Sequence, residues 1–433
     1  DGRIDKEKDD PLKVGGLLYL RGTATWYRTK APGDWPLSSP NLVDVFLDGR
    51  PNDRVRAFLL GRLFYTPTQA AQQPVAALLA APPPEVRGVL DQAYVNFDVD
   101  RTVFVTAGKQ HVKWGTGRFW SPTDYLHPAR RDPLAQYDDR TGVAMVKAHL
   151  PWEQQGWNFY AVALLEDLAG GATPSSPSPG SRRPGTLGGL GGGARAELLL
   201  GPLELALDGV VQDGHHPRFG LDGSLPVWDI DLHFEVALRH GVDAPRYANI
   251  PGTDPTIVGW SSYQLAEPAG LTPAGVLGAD WSWKYSDEDS LTLGAEYAYD
   301  RTGYTSAKIY PFLILAPYLP NTPDRRTAFT PFGLARQYAG AWLYLPKPGR
   351  WNDTTFTLTA LLSITDGSAL VRLDHAVLIN TYLTVETYLA GHLGTLGGEF
   401  RFGGDFPAAP PFFAGGFIQP QVLDLGVALR VKL

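Results

Sequence analysis

From Leu18 onward the chain alternates apolar and polar residues with a period of two. Leu18, Leu20, Gly22, Ala24 and Trp26 interleave with Tyr19, Arg21, Thr23, Thr25 and Tyr27, which predicts a strand with one apolar and one polar face. The rhythm returns at Asn41–Arg50, Val55–Tyr65, Val89–Asp98, Thr102–Val112, Gly142–Leu150, Trp157–Leu168, Ala194–Leu200 and Leu203–Gln212. It continues at Val227–Arg239, Gly275–Ser286, Ser290–Asp300, Arg336–Leu345, Thr354–Thr365, Ala369–Ile379, Thr381–Gly391 and Val422–Leu433. In Val227–Arg239 the residues Trp228, Ile230, Leu232, Phe234, Val236 and Leu238 share one face, and Asp229, Asp231, His233, Glu235 and Arg239 the other. A soluble sandwich would turn the apolar face to a core. A membrane barrel would turn it to lipid and line a wet lumen with the charges. Periodicity alone leaves both open.

Connection lengths choose between them. Tight links such as Pro51–Arg54, Gly201–Pro202 and Asp287–Asp289 alternate with long ones such as Pro67–Gly88, Asp213–Pro226, Arg301–Ala335 and Thr395–Gln421. Tight periplasmic turns and long extracellular loops are the habit of transmembrane β-barrels. The alternation fails only between Arg239 and Gly275, where one further irregular strand is expected near Ala244–Ile250 or Thr256–Leu265. The expected fold is therefore all-β: one transmembrane antiparallel barrel of about 18 strands, with both ends periplasmic. Residues 1–14 are expected to form a periplasmic tail and 15–433 the barrel. The lipid face includes Trp228, Ile230, Leu232, Phe234, Val236, Leu425, Val427 and Leu429.

Composition narrows the function. The sequence has 433 residues with Cys 0, which removes disulfides and thiolate metal sites. A mean hydropathy of −0.15 and the lack of any long apolar run exclude a helical membrane protein. A net charge of −7 argues against nucleic-acid binding. The chain starts at Asp1, as a processed, exported protein would, and so would a trimmed one. Trp and Tyr fall at segment ends, where interfacial girdles belong. Ala70–Ala81 is the one helix-like stretch, and Gly170–Gly193 reads as a flexible outer loop.

The stretch Lys113–Arg140 has a different chemistry from the rest. Arg118, Arg130, Arg131 and Arg140 interleave with Asp124, Asp132, Asp138 and Asp139, and Trp114, Phe119, Trp120, Tyr125 and Tyr137 lie among them. Lys113 opens it, and Pro122, Pro128 and Pro133 limit its backbone freedom. A long charged loop of this kind either covers a surface or fills a cavity.

At this point the chain resembles the bacterial outer-membrane porins. In them the loop after the fifth strand folds into the barrel, and the fifth strand here is Thr102–Val112. Gly108–Asp124 (GKQHVKWGTGRFWSPTD) is similar to the Gly-x-Gln, Trp-Gly and Asn-Pro-x-Asp words of several porin-like families, with Ser121 where Asn is usual. The alternating C-terminal segment resembles the strand by which outer-membrane clients are recognised, although it ends on Leu433 and not on Phe. The resemblance implies the bacterial outer membrane and a pore constriction made by 113–140.

The function expected is passive diffusion of small hydrophilic solutes. A dedicated polysaccharide or substrate exporter, and a plugged barrel anchoring an envelope or surface complex, are the alternatives. Lys113, Arg118, Asp124, Arg130, Arg131, Asp132, Asp138, Asp139 and Arg140 are the constriction candidates. Arg21, Arg62, Asp229, Asp231, Glu235, Arg239, Glu296 and Glu386 are the lumen-wall candidates, and their mixed signs predict weak ion selectivity. The same loop charges would serve equally to tie the loop to the wall. His111, His127, His215 and His216 lack metal-ligand spacing, and Asp287-Glu288-Asp289 lacks that of a calcium loop, so no metal or cofactor is expected. No nucleophile, phosphate or zincin motif suggests an enzyme. The implied partners are outer-membrane lipid and lipopolysaccharide, the solutes themselves, and either a second copy or an envelope-complex component.

Overall fold

The computed structural model describes residues 11–68, 85–127, 130–166, 190–213, 215–242, 246–254, 262–266, 268, 270–316, 329, 331–406 and 416–433. The helix-like stretch Ala70–Ala81, most of Gly170–Gly193 and residues 1–10 of the expected tail lie outside them; Leu12–Val14, expected to end that tail, instead open the first wall strand.

Among the described residues the wall is a closed antiparallel barrel of 18 strands, with the two-residue strand Leu37–Ser38 as an adjunct. In chain order the strands are β1 (Leu12–Tyr27), β2 (Asn41–Asn52), β3 (Val55–Tyr65), β4 (Val86–Val99), β5 (Val103–Gln110) and β6 (Val143–Trp152). Next come β7 (Trp157–Leu164), β8 (Gly191–Leu200), β9 (Leu203–Gln212), β10 (Arg218–Val227), β11 (Ile230–His240) and β12 (Leu271–Lys284). The last six are β13 (Ser290–Asp300), β14 (Gln337–Pro346), β15 (Thr354–Ser363), β16 (Ser368–Leu378), β17 (Leu383–Gly394) and β18 (Gln421–Lys432). β1 closes the ring, pairing with β2 from Leu12↔Gly49 to Tyr19↔Leu42 and with β18 from Leu17↔Lys432 to Tyr27↔Gln421. Closure leaves no free sheet edge, so every wall strand has two hydrogen-bonded neighbours.

The two faces divide as the alternation predicts. On β11, Ile230, Leu232, Val236 and Leu238 are exposed on the outside, while His233, Glu235 and Ala237 are buried inside. On β18, Leu425, Val427 and Leu429 are exposed outward. An apolar exterior around a charged interior is the reverse of a soluble sandwich.

The structure corrects the sequence reading between Asp213 and Gly275. The eighteenth strand is β10, inside what reads as the link Asp213–Pro226, and not an irregular strand near Ala244–Ile250 or Thr256–Leu265. In that later region Tyr247–Asn249 and Tyr263–Leu265 pair as a separate two-stranded hairpin outside the wall. Trp228 and Asp229 do not lie on a strand. They form the two-residue turn between β10 and β11, where Val227 pairs with Ile230 and Trp228 adopts φ 56°. A two-residue hairpin turn demands positive φ whatever the residue. Trp228, 93% exposed, is therefore on a turn tip and not on the outer wall face. Asp229 is likewise removed from the inner wall.

At the long-loop end the connections after β11, β13 and β17 pack on one another. Tyr247, Tyr263, Ile309, Leu334 and the short helix α1 (Tyr310–Leu315) form a buried apolar cluster, with Phe402 and Ile418 packed against it.

Candidate functional site

The connection between β5 and β6 departs from the wall after Gln110. Its first half is built around two carboxylates. Gly115, at φ 88°, and Gly117 let the backbone bend round the Glu235 side chain. A Cβ at Gly117 would stand 1.9 Å from the Trp120 carbonyl oxygen, so only glycine fits. Glu235, on β11, accepts from the Gly117 N–H, from the Ser121 hydroxyl at 3.1 Å, and from the Thr123 N–H and hydroxyl at 3.2 and 2.8 Å. Glu296, on β13, accepts the backbone N–H groups of Arg118, Phe119 and Trp120 at 2.7, 3.2 and 3.0 Å. His233 Nε2 faces the same carboxylate at 3.4 Å. Several charge-assisted bonds to one acceptor fix backbone position far better than a surface ion pair does.

Aromatic packing completes this anchor. Phe119 meets Trp342 edge-on at 5.2 Å, and Trp120 stacks on Tyr338 at 5.2 Å. The Trp120 Nε1 donates to the Phe332 carbonyl at 3.0 Å, and the Tyr125 hydroxyl to the Phe219 carbonyl at 2.8 Å. Trp114 and Leu126 are buried with Met145, Val162 and Val210 of the inner wall.

The second half reaches other strands. Tyr137 bonds Asp44 of β2 and takes a bond from Arg62 of β3 at 2.9 Å. Arg62 also pairs with Asp44 and Asp91, its side chain 2% exposed. Gln136 Nε2 donates to Asp374 of β16 at 2.9 Å. β11 and β13 lie almost opposite β2 and β3 in the ring, so the connection crosses the interior of the barrel.

The nine constriction candidates separate into two groups. Arg140 pairs with Asp124 at 3.1 Å and with Asp138 at 2.8 Å, a clamp within the loop. Burial raises the Asp124 carboxyl, with Arg140 opposing the rise. Burial pushes Asp138 in the same direction, but Arg140 outweighs it and holds that carboxyl below its ordinary value. The other six, Lys113, Arg118, Arg130, Arg131, Asp132 and Asp139, are exposed. The Arg118 guanidinium lies 4.7 Å over the Trp342 ring. Among the described residues neither Arg118 nor Arg131 has a carboxylate partner. Arg130 pairs loosely with Asp300 at 3.5 Å, its side chain 50% exposed. His127 stacks on His111 at 5.3 Å, and burial lowers it to about 4, so it is neutral at pH 7.

Of the wall candidates, Glu235 and Glu296 hold the loop, while Arg62 is locked with Asp44 and Asp91. Arg239 pairs with Asp300 at 3.0 Å, and Glu386 takes the Tyr19 hydroxyl and Arg430. Arg21 donates to the Pro40 carbonyl. Asp231 is exposed and stands directly across from Asp280 of β12. The partners Asp44, Asp91 and Asp300 escape a reading aimed at the loop. Their place on the inward face of an alternating segment is the signal that could have found them.

No protein-family profile matches the sequence, and no curated protein does. Solved structures do match over nearly the whole length. A BenF-like porin from Pseudomonas fluorescens Pf-5 superposes with TM-score 0.54 at 10% identity, covering 98% of this chain and 99% of that one. OpdK of Pseudomonas aeruginosa with vanillate gives 0.52 at 11%, covering 98% of each chain. OccK2 (OpdF) of the same organism with glucuronate gives 0.51 at 11%, again covering 98% of each. The chain shares the barrel fold of these outer-membrane porins.

Proposed function

We propose that the protein is an outer-membrane porin through which small hydrophilic solutes diffuse passively, with the 113–140 segment as its constriction. The observation that carries this reading is the crossing of the interior by that segment, anchored at Glu235 and Glu296 on one side and at Asp44 and Arg62 on the other. A surface lid would not spend wall carboxylates on its own backbone. The fold shared with solved porins supports the bacterial outer membrane as its place, with lipid and lipopolysaccharide around the apolar belt. The role is transport and not catalysis.

The constriction favours anions. Lys113, Arg118, Arg130 and Arg131 outnumber Asp132 and Asp139 among its exposed charges, and the guanidinium groups of Arg118 and Arg131, which have no carboxylate partner among the described residues, offer bidentate sites to carboxylates. The vanillate and glucuronate named with two of the similar structures are both carboxylates. Deleting Ser121–Gln136 raises the single-channel conductance in planar bilayers. Unchanged conductance removes the segment as the constriction. A wild-type protein that folds and inserts but passes no current favours a plugged or gated barrel.

A further inference from the structure

At the long-loop end three connections converge on one buried carboxyl. Glu399 lies in the turn Glu399–Arg401 of the connection between β17 and β18 and is buried. It accepts from the Tyr338 hydroxyl, at the start of β14, and from the Gly333 N–H at 3.1 Å, in the connection after β13. Its own backbone N–H donates to Asp366 at 3.1 Å, in the tight turn between β15 and β16. Asp366 also accepts from the Tyr310 hydroxyl at 3.1 Å and from Ser368, whose hydroxyl takes the Phe400 N–H at 3.0 Å.

Among the described residues no arginine or lysine pairs with Glu399. Arg401, in the same turn, donates to the Gly394 carbonyl at 2.7 Å. Arg130 packs on Gly333 but pairs with Asp300. His392 faces the Phe400 carbonyl with Nδ1 and Asp424 with Nε2. Among the described residues, the titratable neighbours that face Glu399 are Tyr338, Tyr310 and the like-charged Asp366. The node continues into the inner loop, because Trp120 bonds Phe332 and stacks on Tyr338.

We propose that Glu399 is a pH-operated latch, binding the outer connections to one another and to the inner loop, so that the outer mouth tightens in acid and loosens in base. Burial, with Asp366 adding to it and the Tyr338 hydrogen bond opposing, raises the Glu399 carboxyl from 4.5 to about 7 in the closed arrangement. In an open arrangement the group returns to water and to its ordinary value. The closed form therefore holds the proton more tightly. It gains as pH falls from about 7 toward about 4.5 and loses that gain as pH rises through 7, roughly tenfold in the closing equilibrium between pH 6 and 8.

The effect on solute flow rests on the porin reading; the latch itself does not. The test is hydrogen exchange of segments 331–336 and 398–402 in the folded, detergent-solubilised protein from pH 5.5 to 8.5, corrected for intrinsic rates, with bilayer currents in parallel. Protection in the wild type falls about tenfold from pH 6 to 8. Glu399→Gln, neutral at every pH, keeps its acid-level protection throughout. A flat wild-type profile, or a Glu399→Gln profile like the wild type, overturns the latch. If Glu399→Gln does not fold, Tyr338→Phe decides: loss of a donor to the carboxylate moves the midpoint upward, and an unmoved midpoint overturns the proposal. The expected exchange profiles without any current leave the latch standing and refute the porin reading.

Discussion

Glu235 and Glu296 stand two strands apart on the inner wall and divide one turn of backbone between them. The first takes Gly117 and Thr123, the second Arg118, Phe119 and Trp120. A pair of inward carboxylates reads as part of the pore's field, yet both are buried and turned to holding main-chain N–H groups. Glu296→Ala leaves three of those donors without an acceptor and lowers folded stability by about 2–4 kcal/mol. Thermal unfolding in detergent measures the loss. Glu235→Ala acts on the same turn, so the double variant loses less than the sum of the single ones.

The Arg140 clamp predicts a pH signature. Removing Arg140 strands the buried Asp124 and costs about 3–5 kcal/mol near neutral pH. Asp138, held low by Arg140, contributes stability above its ordinary value near 4, and this is lost as pH falls through its folded value. Asp124, raised by burial, accepts a proton readily once its partner is gone. The difference between the wild type and Arg140→Ala therefore shrinks as pH is lowered from 7 to 4. A gap that stays constant contradicts the clamp.

Selectivity depends on the charges the clamp leaves free. Arg130→Glu combined with Arg131→Glu changes the local charge by four units. Each unit is worth ~0.4 kcal/mol at roughly 10 Å in water. The cation-to-anion permeability ratio, read from reversal potentials in a salt gradient, rises about tenfold near 0.1 M salt, where screening leaves roughly a third of each interaction, and more at lower ionic strength.

The barrel was legible because its wall alternates, and it was least legible where small residues carry the wall. β10 contains Gly220, Gly223 and Pro226, which look like link chemistry. At Gly220 a Cβ would stand 2.4 Å from the Asp208 carboxylate, so a larger residue would push that side chain off its bonds to Arg195, and pairing with β9 and β11 on both edges holds the strand. Trp228 continues the apolar rhythm of β11 without belonging to it, because the register of the neighbouring strands puts the reversal there. In the loop, the concentration of charge was visible, but its partition was not. Arg140 finds its partners nearby, whereas the bonds of Glu235 and Glu296 span more than a hundred residues, and no local spacing announces them.

That misplacement of Trp228 gives a test of the register and of the membrane together. Val427 and Trp228 are both apolar and exposed, at 51% and 93%. Val427 sits in mid-strand on β18, paired with Gly22 of β1 and Thr387 of β17, so its side chain belongs at the middle of the apolar belt. Trp228 sits on the tip of a two-residue turn beyond the belt. An arginine facing lipid near the bilayer centre costs about 2–4 kcal/mol, and close to none at its margin. Val427→Arg therefore destabilises the barrel folded into phosphatidylcholine vesicles by about 2–4 kcal/mol. Trp228→Arg stays within about 1 kcal/mol of the wild type. Equal and small penalties would mean that neither residue meets lipid, and the membrane reading would fall. Equal and large ones would place Trp228 back on the wall and undo the turn between β10 and β11.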